Sequence, residues 1–249
     1  MTLLLRLAAA GLLVQAAAPA GPRPLPDAQP FLDAVRANLA ESQSEQDRFA
    51  YKERRTELDL NPFGHLGTRG VRVIAVTPIE GGKALTRQLI ERDGKPVTDS
   101  PPSRRQIRKT ERGKTVVDDV ASVLEVTIAR RDHLGGRDAI VATFHAKPNA
   151  NPRTREGRLA RSFAGEIWID ELAREVVRVD AKAIDDLSFG YGLLARVNEG
   201  ATVTVRREPI DDGLWLPVSI RFDGDGRAIL FRKLKIDFAV DWFDYRKVQ

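Results

Sequence analysis

The sequence contains no cysteine, and this absence excludes several kinds of chemistry at once. A chain without thiols forms no disulfide, has no thiolate nucleophile and cannot build a cysteine-ligated metal site. It also offers no thiol to which a lipid could be attached. The fold must therefore be held together by its hydrophobic core and its hydrogen bonds.

Histidines and catalytic motifs are also scarce. The three histidines, His65, His133 and His145, lie in separate segments, and none has the spacing of a helical zinc site. The sequence has no P-loop, no dinucleotide fingerprint and no GxSxG elbow. We therefore expect no metal, no cofactor and no catalytic residue. The enzymatic alternative is a secreted hydrolase that uses Glu166 or Asp170, which share one face of a predicted strand.

Long apolar runs are absent except near the first residue. Arg6 is followed by the apolar stretch Leu7 to Val14, and Ala18 and Ala20 fit a small-x-small cleavage pattern. This arrangement predicts a signal peptide over residues 1–20, cleaved after Ala20. The apolar stretch is shorter than the roughly 20 residues that span a bilayer. Residues 21–249 are predicted to form a single domain.

The charge balance favours an anionic partner, because the chain carries a formal net charge of +5. For an exported protein, the accessible anions are a membrane surface, lipid headgroups or an acidic envelope protein, and not nucleic acid. We expect a monomer. The polar segment 97–119 is rich in arginine and lysine and is predicted to be solvated and helical in part, either as a mobile surface loop or as a patch that faces lipid or a partner.

An amphipathic helix is predicted from Asp27 to about Gln46. Asp27 suits the N-cap, Pro30 suits a first turn, and four apolar residues follow at helical spacing, namely Phe31, Leu32, Val35 and Leu39. Such a helix either packs permanently on a sheet or acts as a movable lid over an apolar cavity.

The remainder of the chain has the two-residue alternation of β-strands. It is clearest from Phe163 to Ala183, where Ile167 and Ile169 share one face and Val177 and Val179 follow beyond the turn Asp170 to Glu175. Further along, 223–226 reads DGDG and predicts a hairpin turn, and the last strand is predicted to lie at an edge or to close the sheet. Ten or eleven strands in meander order predict a mainly β protein with one long N-terminal helix as lid, built as a curved antiparallel sheet or half-open β-barrel.

This layout resembles a known superfamily. The strand GEIWID at 165–170, the turn and the strand VVRV at 176–179, with DGLWLPVSI at 212–220, are similar to the periplasmic lipoprotein carriers and outer-membrane lipoprotein receptors LolA and LolB, and to the amino-terminal domain of RseB-type regulators. Those proteins are half-open β-barrels with a helical lid, and they shelter acyl chains.

The resemblance implies a periplasmic module that shelters lipid or lipoprotein acyl chains in an apolar barrel cavity and carries lipoproteins. A structural or envelope-signalling domain that acts through protein contacts is the alternative. The residues predicted to line the cavity and its lid are Phe31, Leu32, Val35, Leu39, Ile167, Ile169, Val177, Val179, Val203 and Val205.

Overall fold

A computed structural model describes residues 23–57, 70–107, 113–189, 195–210, 213–228 and 232–248. The predicted signal peptide and His65 lie outside these residues. The described helices are α1 (Ala28–Gln46), α2 (Gly113–Val123) and α3 (Arg155–Ala160). The described strands are β1 (Phe49–Glu57), β2 (Gly70–Ile79), β3 (Ala84–Arg92), β4 (Lys95–Pro96), β5 (Ser103–Gln106), β6 (Leu124–Leu134), β7 (Arg137–Ala146), β8 (Phe163–Asp170), β9 (Val176–Ala183), β10 (Leu187–Phe189), β11 (Ala195–Val197), β12 (Thr202–Pro209), β13 (Trp215–Ala228) and β14 (Arg232–Lys247).

The strands form one antiparallel sheet. Its main path runs β4-β3-β2-β1-β14-β13-β12-β9-β8-β7-β6, while β5 pairs with β3, and β11 joins β10 to β13. Within the described ranges the two ends of this path do not pair with each other, so the sheet is curved and open. The predicted mainly β class, with a half-open sheet preceded by one long helix, is confirmed.

The C-terminal strand does not lie at an edge. β14 pairs with β1 along one side and with β13 along the other, and its last residue, Lys247, lies opposite Phe49. Among the described strands, β14 thus neither lies at an edge nor closes the sheet, because the path ends at β4 and β6, and both positions predicted for it are wrong. Because β1 and β14 are far apart in the sequence, the local alternation of residues contains no signal for their pairing.

The predicted hairpin turn at 223–226 is also wrong, since β13 continues through all four residues. Position 224 requires glycine because of close packing, and not because of a turn. A Cβ atom added there would lie 2.7 Å from the Cβ of Ala201, a separation that real Cβ atoms do not show. Glycine thus lets Ala201, which is 3 % exposed, approach the backbone of β13.

The polar segment 97–119 has more structure than a solvated loop. Ser103–Gln106 forms β5 beside β3, and Gly113–Val123 forms α2, as the partly helical prediction requires. Val123 is 1 % exposed and belongs to the largest apolar cluster, against which Val120 packs. Helix α2, which begins within the segment and continues to Val123, therefore covers the sheet. None of the described helices is long and apolar enough to cross a membrane.

The two faces of the sheet differ in character. The inner face holds the apolar clusters, whereas residues of alternate register on the outer face form ion pairs such as Arg178–Asp180 and Arg221–Asp241. Trp168 lies on the outer face, where the guanidinium of Arg178 is 5.3 Å from its ring centroid. One face is therefore packed and the other is solvated, which is the usual arrangement of an antiparallel sheet.

Candidate functional site

Helix α1 lies against the inner face of the sheet through the predicted apolar stripe. Phe31 and Val35 are buried, and Leu32 and Leu39 are partly buried beside them. The floor beneath the helix comes from β7, β8 and β9, with Ile140, Ala142, Ile169 and Val176 buried in the same cluster. We call this set the lid cluster. Asp27 occupies the N-cap position, but its side chain makes no capping hydrogen bond.

Of the six strand residues that the sequence predicted for a cavity, the structure brings three together beneath α1. Ile169 belongs to the lid cluster, and Ile167 and Val179 pack against it. Val203 packs instead against the larger cluster beneath α2, and Val205 is half-buried in register with Val179.

A bulge in the β8–β9 pairing explains the different place of Val177. Ile169 pairs with Val176 and Trp168 pairs with Arg178, which leaves Val177 as the extra residue. Val176 therefore takes the position in the lid cluster, and Val177 does not belong to it. This one-residue shift cannot be predicted from the alternation of apolar and polar residues along the sequence.

The turn between β8 and β9 holds the second half of α1. Asn38 donates from Nδ2 to the carbonyl oxygens of Ala173 and Arg174 at 3.1 and 3.2 Å. One turn further, Ser42 is 2 % exposed and donates from Oγ to Oε1 of Glu175 at 3.3 Å. The helix thus contacts the sheet through its apolar stripe, which ends at Leu39, and it contacts the β8–β9 turn through the neutral hydrogen-bond donors Asn38 and Ser42.

Glu175 is itself held by a buried arginine. Arg207 donates to Oε2 of Glu175 at 2.9 Å and to the carbonyl oxygen of Trp215 at 2.6 Å, and the exposed fractions of the two charged residues are both 8 %. Burial raises the pKa of Glu175, against the opposing effects of Arg207 and Ser42, and burial lowers the pKa of Arg207. The pair fixes the carboxylate that receives the hydroxyl of α1.

A second set of contacts fixes the segment that precedes α1. Arg131 of β6 binds Glu171 through two nitrogens and also donates to the carbonyl oxygens of Arg23 and Pro24. Arg23 in turn donates to Glu171 at 2.6 Å. The hydrogen bonds from Arg131 lower the pKa of Glu171. Glu171 and Glu175 lie in one turn, so this turn fixes the chain before α1 and the second half of α1.

The inner face of β1–β3 carries charge, which the sequence analysis missed. Glu53, Arg55 and Glu57 lie opposite Trp242, Val240 and Phe238 and so share the inner face with them. Glu53 binds Arg87 at 2.5 Å, and Glu57 binds Arg72 at 3.1 Å. The alternation E-x-R-x-E at 53–57 was the available signal. The two apolar clusters beneath α1 and α2 therefore contain no residue of β1, β2 or β3.

The carboxylates proposed for a hydrolase have structural partners. Glu166 lies on the outer face and pairs with Arg130, whose hydrogen bond lowers the pKa of Glu166, the reverse of what a general acid requires. Asp170 is buried and accepts hydrogen bonds from the amides of Leu172 and Ala173, which shape the β8–β9 turn. In the described part of the chain, no group of three histidine, aspartate or glutamate residues is placed to hold a metal ion.

No family model and no curated protein sequence matches this chain. Similar solved structures include a LolA-superfamily protein from Nitrosomonas europaea, at 11% identity and a TM-score of 0.41, with 87% of this chain and 93% of that chain covered. A putative outer membrane lipoprotein-sorting protein domain from Vibrio parahaemolyticus matches at 10% identity and a TM-score of 0.38, over 86% and 91% of the two chains. The MucA/MucB complex of Pseudomonas aeruginosa matches at 11% identity and a TM-score of 0.24, over 84% and 93%.

These similar structures are a LolA-superfamily protein, a lipoprotein-sorting domain and MucB, which are the kinds of protein that the sequence pattern resembles. Because each TM-score is below 0.5, the similarities carry no argument about function. The function has to follow from the residues of this chain.

Proposed function

We propose that this protein is an exported, non-enzymatic binding module of the periplasm that shelters the acyl chains of lipid or lipoprotein between helix α1 and the inner face of the sheet. The observation that carries the proposal is the lid cluster. Phe31 and Val35 of α1 cover an apolar floor that includes Ile140 and Ile169. If the helix moves away, this floor is a surface on which an acyl chain can take its place.

The energetics allow such an exchange. Sheltering an acyl chain of about 16 carbons stabilises the bound state by on the order of 10 kcal/mol, at about 0.8 kcal/mol per methylene group. Displacing α1 costs part of this, because the helix and the ligand compete for one surface. The net binding free energy is the gain from sheltering the acyl chain minus the cost of displacing α1. Competition by the helix therefore lowers the net affinity and makes release of the ligand feasible.

The second half of α1 suits a helix that can leave the sheet. Its hydrogen bonds to the β8–β9 turn come from the neutral donors Asn38 and Ser42, whose groups can hydrogen-bond to water after release. The first turn of the helix has no acidic residue and the last turn has no basic residue, so the end turns add no charge that offsets the helix dipole beyond that of Asp27 at the N-cap. Its stability therefore depends on packing against the sheet.

The alternative is a structural or envelope-signalling domain, and one observation favours it. With α1 in place, Ile140 and Ala142 are 0 % exposed, so the protein's own side chains fill the floor. In such a domain the helix is a permanent part of the core, and function depends on contacts with another envelope protein.

Mass spectrometry of protein purified without detergent separates the two candidates. The proposal predicts co-purified lipid, or a fluorescent fatty acid probe that binds stoichiometrically and is displaced by a lipopeptide. Protein that is reproducibly free of lipid and binds no probe contradicts the proposal and supports the structural alternative.

A further inference from the structure

Positive charge is concentrated in two short segments of the chain, 103–117 and 147–161. Residues 147–161 contain five basic residues and one acidic residue, a net charge of +4, whereas the whole chain has +5. The segment follows β7 and contains α3. Residues 103–117 contain six basic residues and one acidic residue, but residues 108–112 lie outside the described ranges, so 147–161 is the basic segment whose placement is fully described.

Four cations of this segment form what we call the basic surface: Lys147, Arg153, Arg158 and Arg161. All four are exposed, and none of the ion pairs between described residues joins them to an acidic residue. Lys147 and Arg161 donate only to carbonyl oxygens, those of Ser122 and Ala150.

The outer face of the sheet provides the contrast. There Arg130, Arg178 and Arg221 each bind a carboxylate of a neighbouring residue, so their charges are compensated locally. The basic surface thus differs from these three arginines because its cations form no ion pair with a carboxylate among the described residues, and it gathers four such cations within fifteen residues.

The backbone of the basic surface is held in place from inside. Asp119 of α2 is 6 % exposed and accepts hydrogen bonds from the amides of Arg153 and Thr154 and from the hydroxyl of Thr154. Thr154 in turn caps α3 by accepting from the amide of Gly157 at 2.9 Å. The acidic group that anchors the segment points inward, which leaves the cations facing solvent.

We propose that the basic surface docks the protein on a membrane that exposes anionic lipid headgroups. A lipid surface requires only accessible positive charge, with each lysine or arginine adding to the attraction. A protein interface of comparable strength normally needs a buried aromatic or aliphatic centre, and the described part of the segment exposes none, because Leu159 packs into the large apolar cluster.

Docking through this surface also places the lid near the membrane. Asp119 holds the basic surface, and the preceding residue, Asp118, binds Arg36 of α1 at 2.7 Å. The two contacts lie side by side on α2, so the helix that covers the floor and the cations that face the lipid are separated by a single helix.

Vesicle sedimentation tests the proposal with the intact protein. Vesicles of phosphatidylcholine with about a third phosphatidylglycerol should bind it at low salt, binding should fall as salt screens the charges, and phosphatidylcholine alone should bind little. The partition coefficient of the variant Arg153→Gln/Arg158→Gln onto these vesicles should be roughly thirtyfold lower, because each positive charge raises the partition coefficient about fivefold. Neither side chain donates a hydrogen bond among those described, so the fold should persist, which circular dichroism checks.

The matched control is the double variant Arg206→Gln/Arg246→Gln, which removes two positive charges from exposed positions on β12 and β14. Its partitioning onto the vesicles should fall by less than about threefold. Equal losses in the two variants, equal binding to neutral vesicles, or no binding at all would each overturn the proposal. Binding to polyglutamate without binding to anionic vesicles would overturn it in favour of an acidic protein. The fatty acid probe is an independent readout, because docking does not require acyl binding and the double variant should keep its probe affinity.

Discussion

Ser42 of helix α1 donates a hydrogen bond to Glu175, 133 residues further along the chain, and both residues are buried. The contact links a helix with an apolar stripe to the turn of the β8–β9 hairpin. It is neutral on the helix side and charged on the sheet side. Removing it therefore changes the docking of α1 without leaving a charge on the helix.

Ser42→Ala is expected to loosen α1. The loss of one hydrogen bond to a buried carboxylate should lower the free energy of unfolding by about 1–2 kcal/mol, and it should speed hydrogen exchange of the α1 amides by at least about fivefold. Hydrogen exchange followed by mass spectrometry measures the exchange rates of the α1 amides. The exposed Ser44 gives the control, since Ser44→Ala should leave exchange in α1 nearly unchanged. Equal effects at the two serines would contradict a specific contact.

Arg207→Met is expected to be much more damaging, because it leaves the buried carboxylate of Glu175 without its cation. The expected loss is about 3–5 kcal/mol in the free energy of unfolding. Adding Glu175→Gln removes the uncompensated charge and should restore a large part of that loss. Urea unfolding of the two single variants and the double variant measures the coupling. Additive losses in the double variant would show that the two residues do not act as a pair.

Asp119 should contribute stability that depends on pH. Burial alone would raise its pKa, but the hydrogen bonds from Thr154 and Arg153 lower it below the ordinary value. A carboxyl group whose pKa is lowered on folding stabilises the protein above its unfolded pKa of about 3.9, and this stability is lost as pH falls through the folded pKa.

The measurement compares urea unfolding of the wild type and Asp119→Asn. At about pH 6 the variant should be less stable by about 2 kcal/mol, and the difference should shrink at about pH 3. Asp118→Asn is the neighbouring control, because Asp118 is half-exposed in its pair with Arg36 and should cost less than about 1 kcal/mol. A difference at Asp119 that stays constant across this range would contradict the assigned role of its charge.

The elements that could be predicted from the sequence are those set by local patterns. The apolar spacing of Phe31, Val35 and Leu39 located α1 to within one residue at its start, and the alternation around Ile167 located the β8–β9 hairpin. These signals arise from neighbours along the chain, so a single sequence contains them. The same patterns identified most of the lid cluster.

The features that escaped prediction depend on contacts between distant segments. The internal place of β14 follows from pairing with β1, and the smallness of Gly224 follows from the approach of Ala201. The bulge that exchanges Val176 for Val177 appears only when β8 and β9 are in register. The buried pair of Glu175 and Arg207 likewise joins the β8–β9 turn to β12, and neither residue is unusual in its own segment.

The central claim is that α1 and an acyl chain compete for one surface, and the variant Phe31→Ala tests it most directly. Truncating Phe31, which is 6 % exposed, should destabilise the empty protein by about 3 kcal/mol or more. Phe163→Ala is the matched control, because Phe163 is 5 % exposed and packs on Phe222 in the other cluster, away from the lid.

The decisive measurement is a fatty acid probe titration of the two variants beside the wild type, paired with urea unfolding. Competition predicts that Phe31→Ala binds the probe as tightly as the wild type or several-fold more tightly, since only the empty state loses the contact. Phe163→Ala should lose stability with no gain in affinity. Weaker binding by Phe31→Ala than by the wild type would contradict the account.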